Sequence, residues 1–184
     1  SVIVRPPFPP REAPRMSFLA GVAAAWSCKK TCNFSPMIKW PNDLMYEGKK
    51  FAGILSEMKA EGSAIRYMVL GVGINVNVPR SSFPPELEPY CTSLMEVTGC
   101  PVSREGFVRS LLEELDHWYR VLLTEGFPPV KEEWCRMAKL GNCHVKVRDG
   151  RRVLAGRALG LQDDGSLIVR AVEGTIHTIV ADDI

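Results

Sequence analysis

A chain of 184 residues can bury one good core, or one core plus a small satellite domain. Its 46% hydrophobic and 24% charged residues are ordinary for a soluble globular protein and exclude a disordered or fibrous chain. The formal net charge of +2 is too small to imply a nucleic-acid or membrane partner, and no apolar stretch approaches the roughly 20 residues that a membrane span needs.

Taken in chain order, residues 1–5 alternate well enough to form a strand, and the prolines at 6, 7, 9, 10 and 14 make the next segment an extended loop. No signal peptide opens the sequence, so the reading is of a cytoplasmic protein. The spacing of Phe18, Leu19, Val22, Ala23 and Trp26 predicts a helix over 16–30. Four strands follow over 37–40, 44–46, 50–58 and 65–75, separated by turn signals at Pro41-Asn42-Asp43, Glu47-Gly48 and Glu61-Gly62. Strands this closely spaced point to an antiparallel sheet, not a doubly wound one.

Residues 75–90 read as a loop rich in proline and serine. Ser103 is the expected N-cap of a long helix ending near Thr124, with Phe107, Leu111, Leu115, Trp118 and Leu122 at helical steps and Gly126 as its stop. Pro128 and Pro129 open a further helix carrying Val130, Trp134 and Met137. After Gly141 the texture changes to short β runs over 143–148, 153–161, 166–172 and 175–180, broken by Asp149-Gly150, Asp164-Gly165 and Glu173-Gly174. These predict a small barrel and a boundary that divides the chain into 1–140 and 141–184.

The six cysteines lack the density of a disulfide-stapled scaffold and read as free thiols in a reducing compartment. A zinc site from Cys28, Cys32, Cys143 and His144 is disfavoured, because the Cys-x3-Cys pair ends a helix and no second short-spaced pair exists. No metal-ligating set is therefore predicted.

Three stretches carry the chemistry: Lys39-Trp40-Pro41-Asn42-Asp43-Leu44, Gly48-Lys49-Lys50-Phe51-Ala52-Gly53-Ile54-Leu55 and Gly71-Val72-Gly73-Ile74-Asn75-Val76-Asn77. The first is a strand ending in a rigid turn that presents an amide and a carboxylate. The second starts a strand with two lysines before an Ala-Gly step. In the third, two glycines remove side chains where something must approach the backbone closely. Singly, each also fits a plain structural role: a common turn, a solvated lysine pair and a β-bulge. Gly71-x-Gly73 lacks the third glycine and following helix of a dinucleotide fingerprint.

In this order and at this spacing the three stretches resemble the biotin–protein ligase family, and the resemblance continues to the end of the chain. Lipoate ligases and octanoyltransferases share the catalytic fold but do not characteristically carry Lys-Trp-Pro-Asn-Asp or the C-terminal barrel. The resemblance implies an α+β fold: a mixed, largely antiparallel sheet flanked by helices, class II synthetase-like, followed by a small SH3-like β-barrel. It implies ATP-dependent attachment of biotin to a lysine of a biotin carboxyl carrier protein through biotinyl-5′-AMP, with ATP, biotin and Mg²⁺ as cofactors.

By resemblance Lys50 is the cation that reaches both the biotin carboxylate and the phosphate, and Asp43 steers the acceptor lysine or helps hold the metal-bound phosphates. Asn75 matches an adenine-reading asparagine. Gly53 and Leu55 offer backbone close to the biotin rings, and Gly71 and Gly73 let ligand pack on bare backbone. Asn42 stands beside Asp43 in the same turn, Lys39 and Trp40 are expected to brace the site, and Lys49 is expected to face solvent. No segment has the family's Gly-Arg-Gly-Arg pattern, so the chain is expected to match roughly the second two-thirds of a minimal ligase and to be impaired. A non-catalytic fragment that binds nucleotide or the carrier domain, or a lipoate-type acyltransferase, are the alternatives. A carrier domain is the expected partner; nucleic acid and membrane are not, and a homodimer through the sheet is left open.

Overall fold

The computed structural model describes residues 1–141, 143–149 and 152–180. Five strands form one sheet: β1 (Val2–Val4), β2 (Met37–Lys39), β3 (Asp43–Tyr46), β4 (Lys49–Glu61) and β5 (Ala64–Ile74), in the order β1-β5-β4-β3-β2. Every strand pair in it is antiparallel, and outside these pairs an isolated parallel bridge joins Lys50 to Cys91. The β3–β4 connection is the predicted Glu47-Gly48, with φ of 46° and 79°. Two consecutive positive φ values are those of a hairpin turn whose twist matches its strands.

Helix α1 (Pro14–Cys32) lies across one face of this sheet. It begins with proline in its first turn, where an N–H has no intrahelical partner, and ends on Asn33 in the left-handed region. Leu19, Ala20, Val22, Ala23, Ala24 and Ala25 are all buried, so the helix is apolar almost all round and sits between two layers. Its small residues bring it close to the strands: a Cβ on Gly21 would stand 3.4 Å from Ile54 Cδ1 and 3.7 Å from Ile38 Cδ1.

Behind α1 run α3 (Arg104–Glu125) and α4 (Pro128–Met137). Ser103 caps α3 as its position predicts, accepting from the Gly106 N–H at 3.1 Å, and Phe107, Leu111, Leu115 and Leu122 are buried. Trp134 of α4 packs edge-on against Phe18 at a centroid distance of 5.1 Å, and Phe127 stands 6.1 Å from Phe18. Trp26 is only partly buried, and its Nε1–H donates to Glu133 at 2.8 Å.

Two features go beyond the expected pattern. The hairpin β4–β5 extends to the pair Glu61–Ala64, past the core and into solvent. A one-and-a-half-turn helix α2 (Leu94–Thr98) follows the proline-rich loop, capped by Ser93 and ended by Gly99 at φ 74°.

The C-terminal strands β6 (His144–Asp149), β7 (Arg152–Leu161), β8 (Leu167–Ala171) and β9 (Ile176–Ile179) form an antiparallel meander in that order. The Asp149-Gly150 turn expected between β6 and β7 lies outside the described residues, together with Arg151. Gly165 and Gly174 take positive φ in the other two turns, at 87° and 94°. Ala158, Leu161, Leu167, Val169 and Ile179 join the same continuous core as α1. Among the described residues β6 and β9 are the edges of this sheet, and no helix is long and apolar enough to cross a membrane.

Candidate active site

Because α1 covers one face of the five-stranded sheet, alternation divides the strands. Ala52 and Ile54 of β4 and Met68 and Leu70 of β5 point into the core, while Gly53, Leu55, Gly71 and Gly73 belong to the other face. Register places one row across four strands, Lys39 opposite Asp43, Asp43 opposite Gly53 and Gly53 opposite Gly73. The next row pairs Leu55 with Gly71. The three sequence stretches thus meet on one surface.

Lys50 reaches that surface through a β-bulge. Leu44 pairs with Ala52 but Met45 pairs with Lys50, so Phe51 is an extra residue. Phe51 and Ala52 are both buried in the core. In a regular strand Lys50 would share the face of Ala52 and Ile54; the bulge releases it to the open one. There its Nζ stands 2.6 Å from Asp43 Oδ1, with the two side chains 46% and 21% exposed. The lysine stem crosses bare backbone, since a Cβ on Gly53 would stand 3.3 Å from both Cε and Nζ of Lys50 and 3.6 Å from Asp43 Oδ1. Glycine at 53 is what lets the ion pair lie flat on the sheet.

Gly73 is different. The nearest atom to a Cβ there would be Gly53 O at 3.8 Å, so no protein group occupies the space above it. Leu55 beside it is 66% exposed. A bare, half-apolar platform next to a charged pair is the surface that a flat ligand carrying a carboxylate or phosphate would use.

The flanking residues hold this platform in place. Asn42 donates from Nδ2 to Ile54 O at 2.7 Å and accepts from the Ile54 N–H at its main-chain oxygen at 2.9 Å, which clamps the Pro41-Asn42-Asp43 turn to β4. Asn75 donates from Nδ2 to Thr92 O at 3.1 Å. The Lys50 N–H donates to Tyr90 O at 2.8 Å, and the Thr92 N–H donates to Lys50 O at 2.9 Å. The 90–92 segment therefore forms a wall beside the lysine, a contribution that the sequence reading missed; Ser93 and Glu96, three apart and cap-like, were its signal. Asn77 bonds reciprocally with the main chain of Val102, at 2.9 Å in each direction. Lys39 is exposed on the row, and Trp40 turns the other way, its Nε1–H donating to Gly165 O at 3.2 Å.

One recess adjoins the platform and a second lies on a separate surface. A groove of about 840 Å³ lies between the start of α1, β4 and the Asp164–Ser166 turn, with Asn42 and Leu55 in its wall. A smaller recess of about 340 Å³ is lined by Tyr46, Lys49, Arg80, Cys91, Thr92 and Glu96. Lys49, expected to face solvent, is half-buried there, opposite Tyr46 in the hairpin. Cys28 is buried in the core and burial pushes its thiol far above the usual range. Among the described residues no three His, Cys, Asp or Glu side chains converge to hold an ion.

The chain has recognisable relatives. Residues 1–75 match the Biotin/lipoate A/B protein ligase family, and residues 141–184 match the Biotin protein ligase C terminal domain. The chain is 36% identical over 182 residues to the Bifunctional ligase/repressor BirA of Bacillus subtilis, covering 99% of this chain and 56% of that protein. It is 32% identical over 181 residues to the Biotin–[acetyl-CoA-carboxylase] ligase of Paracoccus denitrificans, covering 95% of this chain and 74% of the relative. The structure of the Aquifex aeolicus biotin protein ligase in complex with biotin and ATP superposes with a TM-score of 0.76 at 25% identity, over 91% of this chain and 68% of that one. The chain spans little more than half the length of the Bacillus relative. It belongs to the biotin–protein ligase family.

Proposed function

We propose that the protein attaches biotin to a lysine of a biotin carboxyl carrier protein domain, through biotinyl-5′-AMP made from biotin and ATP. The observation that carries this reading is the Lys50–Asp43 pair lying on the glycine-paved face beside the empty space over Gly73.

The chemistry explains the arrangement. In the first step a biotin carboxylate oxygen bonds to the α-phosphorus of ATP and pyrophosphate leaves, which brings two anions together. Lys50 is positioned to neutralise that charge where it develops, with Gly53 giving its stem a fixed, flat path. In the second step the acceptor ammonium gives a proton to solvent, and the resulting amine bonds to the biotinyl carbonyl carbon as the bond from that carbon to the phosphate oxygen breaks. AMP leaves with that electron pair, and the second amine proton passes to solvent. Asp43 is the carboxylate placed to draw in the acceptor ammonium when Lys50 turns to phosphate. Leu55, Gly71 and Gly73 form the floor for the ligand rings, Asn75 reads the adenine with the part of its amide not bonded to Thr92, and Lys39, Trp40 and Asn42 brace the floor. Mg²⁺ would arrive with the nucleotide phosphates, and Asp43 is the carboxylate of the row that could help hold it. We also propose that the chain divides near residue 140, with 1–140 holding this surface and 141–184 docked against it.

The test is to incubate the protein with ATP, Mg²⁺ and biotin, and to follow pyrophosphate release and mass addition to a carrier domain. Biotin-dependent release with a biotinylated carrier supports the reading. Release driven equally by octanoate or lipoate, or carrier that stays unmodified, overturns it.

A further inference from the structure

The turn that joins β7 to β8 is built more tightly than a surface connection requires. Asp164 Oδ1 accepts from the N–H and the hydroxyl of Ser166 at 2.9 and 2.6 Å, and the Gly165 N–H donates to Gln162 O at 3.1 Å. Gly165 sits at φ 87°, and a Cβ on it would stand 2.3 Å from Phe18 Cε2, so the tip of the turn lies flush on that ring. Phe18 is itself fixed edge-on by Trp134 and Phe127. The Gly165 carbonyl is thereby aimed at Trp40 Nε1, 3.2 Å away.

Trp40 leads through Pro41 to Asn42, whose two bonds to Ile54 fix the turn on β4, and then to Asp43 opposite Gly53. The same groove wall contains Asn42, Leu55, Asp164, Gly165 and Ser166. From these contacts we infer that Trp40 is a positioning residue: held by the Gly165 carbonyl, it lets the C-terminal sheet set the Asn42–Asp43 turn and so align Asp43 with Lys50. The inference rests on the ligase reading of that pair. Placement errors near 1 Å in a catalytic constellation cost up to about a hundredfold in rate, so a contact three residues from Asp43 has leverage.

The structure also supplies the control. Arg15 Nε donates to Asp163 O at 3.1 Å and Lys131 Nζ to Asp163 Oδ1 at 2.9 Å, gripping the same turn without bonding Trp40 or Asn42. The experiment compares Trp40→Phe with the double variant Arg15→Ala/Lys131→Ala. It measures kcat and KM for biotin-dependent pyrophosphate release, thermal midpoint, and hydrogen exchange of the Ile54 amide, which bonds Asn42 O.

Trp40→Phe should lower kcat about tenfold or more with KM for ATP within about twofold, and should speed Ile54 exchange. The double variant should lower the thermal midpoint while keeping kcat within about twofold. Wild-type kcat in Trp40→Phe, or kcat falling in both variants in step with the thermal midpoint, overturns the inference. If the wild-type protein releases no pyrophosphate, the ligase reading fails and exchange alone decides: faster Ile54 exchange in Trp40→Phe supports the coupling, and unchanged exchange overturns it.

Discussion

The two faces of the five-stranded sheet use the same strands for opposite ends. Toward α1, Ala52, Ile54, Met68 and Leu70 are packed and replaceable only at a cost in stability. Away from it, Gly53, Gly71, Gly73, Leu55 and Lys50 leave space, an exposed apolar side chain and a charge. The first face is selected to be full and the second to be vacant, and the extra residue at Phe51 is where the chain moves a lysine from one face to the other. Stability and function should therefore separate cleanly by side-chain direction, even between adjacent residues.

The sharpest way to break the packed side is at the helical layer that covers it. Trp134 is 1% exposed and locked against Phe18, so Trp134→Ala should cost about 3–5 kcal/mol in denaturant unfolding. A loss under about 1 kcal/mol would mean that the layer is not a close-packed core.

On the open side, Gly73→Ala should give the reverse result. Its backbone is not in the left-handed region and the new methyl meets nothing closer than 3.8 Å, so stability should stay within about 1 kcal/mol. Ligand affinity for biotin or ATP by calorimetry should nevertheless fall about tenfold, roughly 1.4 kcal/mol. Unchanged affinity would remove Gly73 from the floor of the site.

A smaller effect tests the seam between α1 and α4. Glu133 accepts from Arg136 at 2.7 and 2.6 Å and from Trp26 Nε1 at 2.8 Å. The Arg136 hydrogen bonds, then its charge and the Trp26 bond, hold the carboxyl below the usual carboxylate range. A lowered folded value means that this stabilisation is fully present above the unfolded value, hence at neutral pH, and is lost as pH falls through the folded one. Wild type should exceed Glu133→Gln by about 0.5–1 kcal/mol near neutrality, and the gap should close on acidification. A gap that widens in acid would reverse the assignment.

Local signals made much of this legible. Ser103, Gly126 and the Glu47-Gly48 turn mark element ends through chemistry that lies within a few residues, and the three motif stretches could be placed on strands from their own composition, whereas Pro14, expected in the extended loop, opens α1. What stayed hidden was register. Nothing in Lys49-Lys50-Phe51-Ala52 says that Phe51 is the unpaired residue, because that depends on where Leu44 and Met45 fall on the neighbouring strand. The same limit explains why Lys49 was expected outward, and why Asn42 read as a presenter of its amide when that amide is bonded to Ile54. Trp40 and Gly165 meet across 125 positions of sequence, and no local pattern in either carries the other.

The central claim, that the bulge delivers one particular lysine to a charge-transfer site, is tested most directly by biotin-dependent pyrophosphate release in Lys50→Ala beside Lys49→Ala. The lysines are adjacent in sequence but lie on different surfaces, one 2.6 Å from Asp43 and the other lining the Tyr46 recess. Lys50→Ala should lower the rate by on the order of a hundredfold or more with an unchanged thermal midpoint, and Lys49→Ala should stay within about threefold. Equal losses in the two variants, or full activity of Lys50→Ala, would contradict the account.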